Sequence, residues 1–92
     1  MSVQVLVPGP LRAEVGGAAR LEVTAAGTLR SVLAELDQRW PRLGRRIRDE
    51  SGAIRRYVNV FVDGEDVRRL SGLDTPVGAA AEVQILPSVA GG

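Results

Sequence analysis

Residues Thr28–Pro41 read "TLRSVLAELDQRWP". Leu29, Val32, Leu33, Leu36 and Trp40 recur at the spacing i, i+3, i+4, i+7, i+11, which draws a single apolar stripe along a helix. Thr28 stands where its hydroxyl can accept a bond from a free first-turn N–H, and Pro41 ends the run. Trp40 reads as a core plug at the helix end. A helix with one stripe must bury it against one surface. The residues on either side supply that surface as strands.

On the N-terminal side, Val3-Gln4-Val5-Leu6-Val7 alternates with β-branched residues until Pro8-Gly9-Pro10 stops it. Gly16-Gly17 reads as a turn, and Ala19–Thr24 ("ARLEVT") alternates again, completing a hairpin. On the C-terminal side, Arg42–Arg56 is a charged connection with a short second helix expected around Leu43–Asp49. Tyr57-Val58-Asn59-Val60-Phe61-Val62 is the strongest strand signal, and Asp63-Gly64 after it favours a type I′ turn. Glu65-Asp66-Val67 begins the return; Ser71-Gly72 and Thr75-Pro76 punctuate a loop. Glu82–Leu86 is the last strand, stopped by Pro87. The expectation is an α+β, ubiquitin-like β-grasp: a mixed sheet of four or five strands packed on one main helix. It forms a single domain over residues 1–92, with residues 87–92 as a flexible tail.

Composition narrows the chemistry. The 92 residues carry a net charge of +1 with 45% apolar and 25% charged residues, an ordinary globular balance. Cys and His are absent and all twelve basic residues are Arg. That removes disulfides, common zinc ligands, the physiological-pH general base and the Lys and Cys nucleophiles. An independent enzyme is therefore not expected, nor a bound cofactor or a metal. No cationic leader or long apolar run is present, so the expected location is the cytoplasm, with no membrane partner. Arg39, Arg42, Arg45, Arg46, Arg48, Arg55 and Arg56 crowd one region, which reads either as a solvated face or as a patch for an acidic partner or a phosphate. No aromatic residues interleave there to stack bases, so nucleic acid is not an expected partner.

Period-2 alternation assigns faces. With Val3, Val5, Val7, Val58, Val60, Val62, Val83 and Ile85 turned toward the helix, Leu6, Phe61 and Leu86 fall on the other face. No second long helix is available to cover it. Those three residues, with Pro87 and Val89 at the start of the tail, form the expected partner-binding patch.

The β-grasp order, the hairpin "YVNVFVDGEDVRRLSGL" and the ending "VQILPSVAGG" resemble the ThiS/MoaD sulfur carriers. Within that family the chain is most similar to the CysO-type carriers of bacterial cysteine biosynthesis. The resemblance runs from Val3 to Gly92 and is weakest through Arg42–Arg56. It implies that an E1-like adenylyltransferase uses ATP and Mg to convert the Gly92 carboxylate to an acyl-adenylate. Sulfur then displaces AMP and leaves a covalent thiocarboxylate at Gly92. In the CysO-type branch the sulfur passes to an aminoacrylate on a PLP-dependent cysteine synthase that starts from O-phosphoserine, and a JAMM-type metalloprotease releases the product. Gly91 and Gly92 match the family's diglycine. The family's Asp/Gly-rich turn before the last strand is replaced here by Gly78-Ala79-Ala80-Ala81-Glu82. Carriers for molybdopterin or thiazole synthesis share the same terminal chemistry, and a ubiquitin-like protein modifier shares the diglycine.

The tail suits such chemistry. Gly92 has no Cβ to obstruct attack on its carbonyl, and Gly91 opens backbone angles closed to other residues. Six residues from Pro87 extend to roughly 20 Å, enough to thread a narrow cleft.

Overall fold

The computed structural model describes residues 2–87. The elements, in chain order, are strand β1 (Val3–Leu6), a 3₁₀ helix (Gly9–Val15), β2 (Arg20–Val23), β3 (Gly27–Thr28), α1 (Leu29–Arg39) and α2 (Pro41–Ile47). They continue with β4 (Val58–Val62), β5 (Glu65–Asp66), two short 3₁₀ turns, β6 (Pro76–Val77) and β7 (Glu82–Pro87).

Five strands form one mixed sheet in the order β2-β1-β7-β4-β5. The last strand is the middle one, parallel to β1 and antiparallel to β4. This is the β-grasp arrangement. Val3, Val5, Val23, Val83 and Ile85 on the inner face are fully buried, as are Leu29, Val32 and Leu36 of the α1 stripe facing them. Burying each such side chain contributes about 1.5–3 kcal/mol, which explains why the stripe fixes the helix to this face.

The start of α1 is a capping box. Ser31 N–H donates to Thr28 Oγ1 and Thr28 N–H donates to Ser31 Oγ, both at 3.3 Å, so two unpaired backbone donors are satisfied by side chains. The turn at Asp63-Gly64 has φ of +50° and +88°, the left-handed pair a type I′ hairpin requires. Trp40 caps α1 half-buried, with the Arg39 guanidinium 4.3 Å from its ring centroid, so it covers the edge of the core and does not fill it.

Several features differ from the sequence reading. Pro8–Gly17 is not a plain turn: it coils into the 3₁₀ helix, which sends Leu11 and Val15 into the core. A second, two-stranded sheet pairs β3 with β6, and Leu29 N–H donates to Thr75 O at 2.9 Å, tying the start of α1 to that segment. Pro87 belongs to the last strand, opposite Val58. Asp63 N–H donates to Glu82 O at 2.9 Å, so by antiparallel alternation 61–84 and 59–86 are the hydrogen-bonded pairs. Val58 and Pro87 therefore form a non-hydrogen-bonded pair, and proline there withdraws no donor from β4.

The free edge of β2 is closed by α1. Arg39 donates to Glu22 O at 2.9 Å and to the Glu35 carboxylate at 2.8 Å. Glu35 in turn accepts from Ala25 N–H at 2.9 Å and from Thr24 N–H at 3.2 Å. Burial pushes the Glu35 carboxyl up, but the bonds from Arg39, Ala25 and Thr24 together outweigh it and hold it below the ordinary carboxylate value. Side chains thus occupy backbone groups that an exposed edge would offer to another strand.

Candidate functional site at the end of the central strand

β7 runs through the centre of the sheet and ends at Pro87. Along it Val83 and Ile85 are buried on the helix side, while Gln84 and Leu86 turn to the opposite face. Register then sets the neighbours on that face. Leu6 of β1 and Phe61 of β4 both lie opposite Gln84, and Arg20 and Asp66 extend the row to the outer strands. Leu86 sits in the next row, opposite Asn59.

Leu6, Phe61 and Leu86 consequently share the outer face, but not as one apolar patch. Gln84 separates Leu6 from Phe61. Both of these are half-buried, whereas Leu86 is 37% exposed. Tyr57, 56% exposed, stands just before β4, at the same end of the sheet as Pro87. Val89, Gly91 and Gly92 lie outside the described residues.

Two grooves flank the central row. One, of about 480 Å³, is lined by Leu6, Pro8, Arg12, Arg20, Gln84 and Leu86. The other, of about 280 Å³, lies beside Phe61, with Gly64, Glu65, Asp66 and Arg69. Arginines brace the strand ends here. Arg12 Nε donates to Val7 O, the residue after β1, and Arg68 donates to Val58 O, the first carbonyl of β4, each at 3.0 Å. The sequence pattern did not single out Arg12, Arg20, Arg68 or Tyr57 as site residues. Alternation places Tyr57 outward, but the arginines reach this end only through sheet order and side-chain length.

No cluster of three or more His, Cys, Asp or Glu residues able to hold a metal occurs among the described residues. No helix among them is long and apolar enough to cross a membrane. What the described residues offer is a half-apolar sheet face whose central strand ends at Pro87.

The ThiS family profile matches residues 5–92. The chain belongs to the ThiS family. It is 40% identical, over 100% of both chains, to the sulfur carrier protein CysO of Mycobacterium tuberculosis H37Rv. CysO of Amycolatopsis orientalis, solved in a complex with BexX, matches with a TM-score of 0.88 and 32% identity over 98% of this chain and 99% of that one. The small archaeal modifier protein 1 of Methanosarcina acetivorans matches with a TM-score of 0.83 and 29% identity over 99% of this chain and 96% of that one. As a ThiS-family member the chain keeps the β-grasp sheet despite its departure before β7. Gly78-Ala79-Ala80-Ala81 still closes as a turn, with Ala81 N–H donating to Gly78 O at 3.1 Å and Ala81 buried.

Proposed function

We propose that this protein is a sulfur carrier of the CysO type, with the Gly92 carboxyl as the group that is activated and carries the sulfur. The observation that carries this reading is 40% identity over the whole of both chains to a sulfur carrier protein CysO, in a chain whose sequence ends Gly91-Gly92. In the reaction, a carboxylate oxygen of Gly92 attacks the α-phosphorus of ATP and pyrophosphate leaves. A sulfur nucleophile then attacks the carbonyl carbon and AMP leaves, giving the thiocarboxylate. The chain supplies no His, Lys or Cys, and in this reading catalysis belongs to the E1-like adenylyltransferase, which also holds the ATP and Mg. This protein is the substrate and carrier.

The outer face around Leu6, Phe61, Leu86 and Pro87 is the surface on which the activating enzyme docks, with Val89 and Gly91 passing the terminus into its cleft. A PLP-dependent cysteine synthase receives the sulfur and a JAMM-type metalloprotease frees the product, both in the cytoplasm. The test is the intact mass of the protein after incubation with ATP, a sulfur source and an E1-like adenylyltransferase. One sulfur in place of one oxygen is expected, and none after deletion of Gly92 or addition of a residue beyond it. An extended chain that still gains sulfur without prior cleavage refutes the terminal-carboxyl mechanism. The likeness to a small archaeal modifier supports a second reading, conjugation to lysines of other proteins; adducts that survive thiol reagents would establish it.

A further inference from the structure

The outer face of α2 is made of arginine. In the seven residues Pro41–Ile47, Leu43, Gly44 and Ile47 are buried, and Arg42, Arg45 and Arg46 are exposed. None of these three guanidinium groups makes a hydrogen bond or ion pair among the described residues, nor do those of Arg20, Arg56 and Arg69, whereas Arg12, Arg30, Arg39, Arg48, Arg55 and Arg68 are all engaged. The charge is also segregated along the chain. Residues 39–56 hold seven arginines against two carboxylates, Asp49 and Glu50, while the remainder holds five arginines against nine carboxylates. A net charge of +1 conceals this polarity.

The fold brings that face to the end of the sheet where β7 stops. Arg55 N–H donates to Ile47 O at 2.9 Å, and Val58 N–H donates to Arg55 O at 3.0 Å. Val58 opens β4 opposite Pro87. On its other side α2 packs against the 3₁₀ helix that follows β1. The opposite end of the sheet carries Asp63, Glu65 and Glu82, all exposed. The α2 arginines thus lie beside the end of the sheet where β7 stops, with Asp49 and Glu50 near Arg45, and Asp63, Glu65 and Glu82 lie at the far end.

We propose that the Arg42, Arg45 and Arg46 face of α2 is a docking surface for a carboxylate-rich protein surface, distinct from the outer sheet face and set beside the exit of β7. It rests on the reading that partners meet this protein at the end of β7. Exposed ion pairs add little affinity individually, but a one-sided charge orients an approaching partner and raises the encounter rate. A partner with acidic residues beside its cleft would meet this protein with the end of β7 already facing it. Nucleic acid fits less well, because α2 spans only about 10 Å and exposes no aromatic ring for stacking.

The test is an amide ¹⁵N–¹H titration of the full chain with poly-L-glutamate at about 50 mM salt, with RNA of equal charge in parallel. Shifts are expected over Arg42–Ile47 and Arg55–Tyr57. They should weaken about tenfold in Arg42→Ala/Arg45→Ala/Arg46→Ala and be restored in the corresponding triple Lys variant, which keeps the charge. The proposal is overturned by shifts confined to the Phe61 and Leu86 face, by unchanged binding in the triple Ala variant, by tighter binding to RNA, or by the same shifts on concentrating the protein alone. The last result would make a second copy the partner. The titration does not involve chemistry at Gly92. A chain that binds through α2 yet never gains sulfur refutes only the proposed function, and a chain that gains sulfur but does not bind refutes only this surface.

Discussion

At Gly44 the backbone of α2 closely approaches Asp37 of α1, and Gly44→Ala tests whether that close approach places the helix. A Cβ at Gly44 would overlap Asp37 Oδ1 and lie 3.0 Å from the Asp37 main chain. The carboxylate can swing aside only by leaving Arg48, with which it forms an ion pair. The main chain can move only with its helix. Two effects oppose one another. In an isolated helix Ala is better than Gly by about 1 kcal/mol. Overpacking a tight interface costs about 1–3 kcal/mol, and loss of the half-exposed ion pair adds up to about 1 kcal/mol. The overpacking wins because backbone as well as side chain is struck. Gly44→Ala should destabilise the protein by about 1–2 kcal/mol, lowering the melting temperature by about 5–10 °C in a domain of this size. Thermal unfolding followed by circular dichroism, with urea unfolding as a check on the free energy, measures it. Asp37→Ala combined with Gly44→Ala should recover only part of the loss, since the crowding against the α1 backbone persists. A single Ala variant that melts at or above the parent temperature would show that α2 does not rest on Asp37, and the placement of its arginine face would fall with it.

Two further predictions concern the sheet. Phe61→Ala removes a half-buried ring from the outer face, so it should cost about 1 kcal/mol of stability, well below the 3–5 kcal/mol of a core Phe, while weakening binding to an E1-like enzyme at least about tenfold. Titration calorimetry and a melting curve separate the two; a loss of stability like that of a core truncation would invert the face assignment. Glu35 has a lowered folded-state pKa, so its stabilisation is fully present above the unfolded value of about 4.3 and is lost as pH falls through the folded value. Urea midpoints at neutral pH and below about pH 4 should show the parent losing more stability than Glu35→Gln, and equal losses would remove Glu35 from the β2 edge.

Much of this protein is local and therefore legible. The α1 stripe, the Thr28 cap, the Asp63-Gly64 turn and the inward alternation of β1, β4 and β7 each depend on residues within a few positions of one another. A period of 3.6 or 2 survives in the sequence whatever the rest of the chain does. The same alternation placed Leu6, Phe61 and Leu86 on one face. It could not show that Gln84 stands between the first two, because lateral neighbours are set by register between strands far apart in the chain.

What the tertiary structure alone decided is long-range. That β7 takes the centre of the sheet, parallel to β1, follows from which edges remain once the hairpins have formed, not from the composition of β7. The 3₁₀ helix at Gly9–Val15 carries only two apolar anchors, Leu11 and Val15, too few for a readable period. Pro87 was expected to stop the strand, yet its missing N–H falls on the side of β7 that β4 does not use, a fact invisible without the ladder. Glu35 and Arg39 bond the β2 edge and the residues after it from a helix ten or more residues away in sequence. The arginines of α2 are plain in the sequence as a cluster, but only packing against α1 and the 3₁₀ helix gathers them beside the end of β7. The sequence determined which residues are apolar and at what interval; pairing across the chain determined what each one faces, because hydrogen-bond registers and helix packing are properties of pairs of segments and not of either alone.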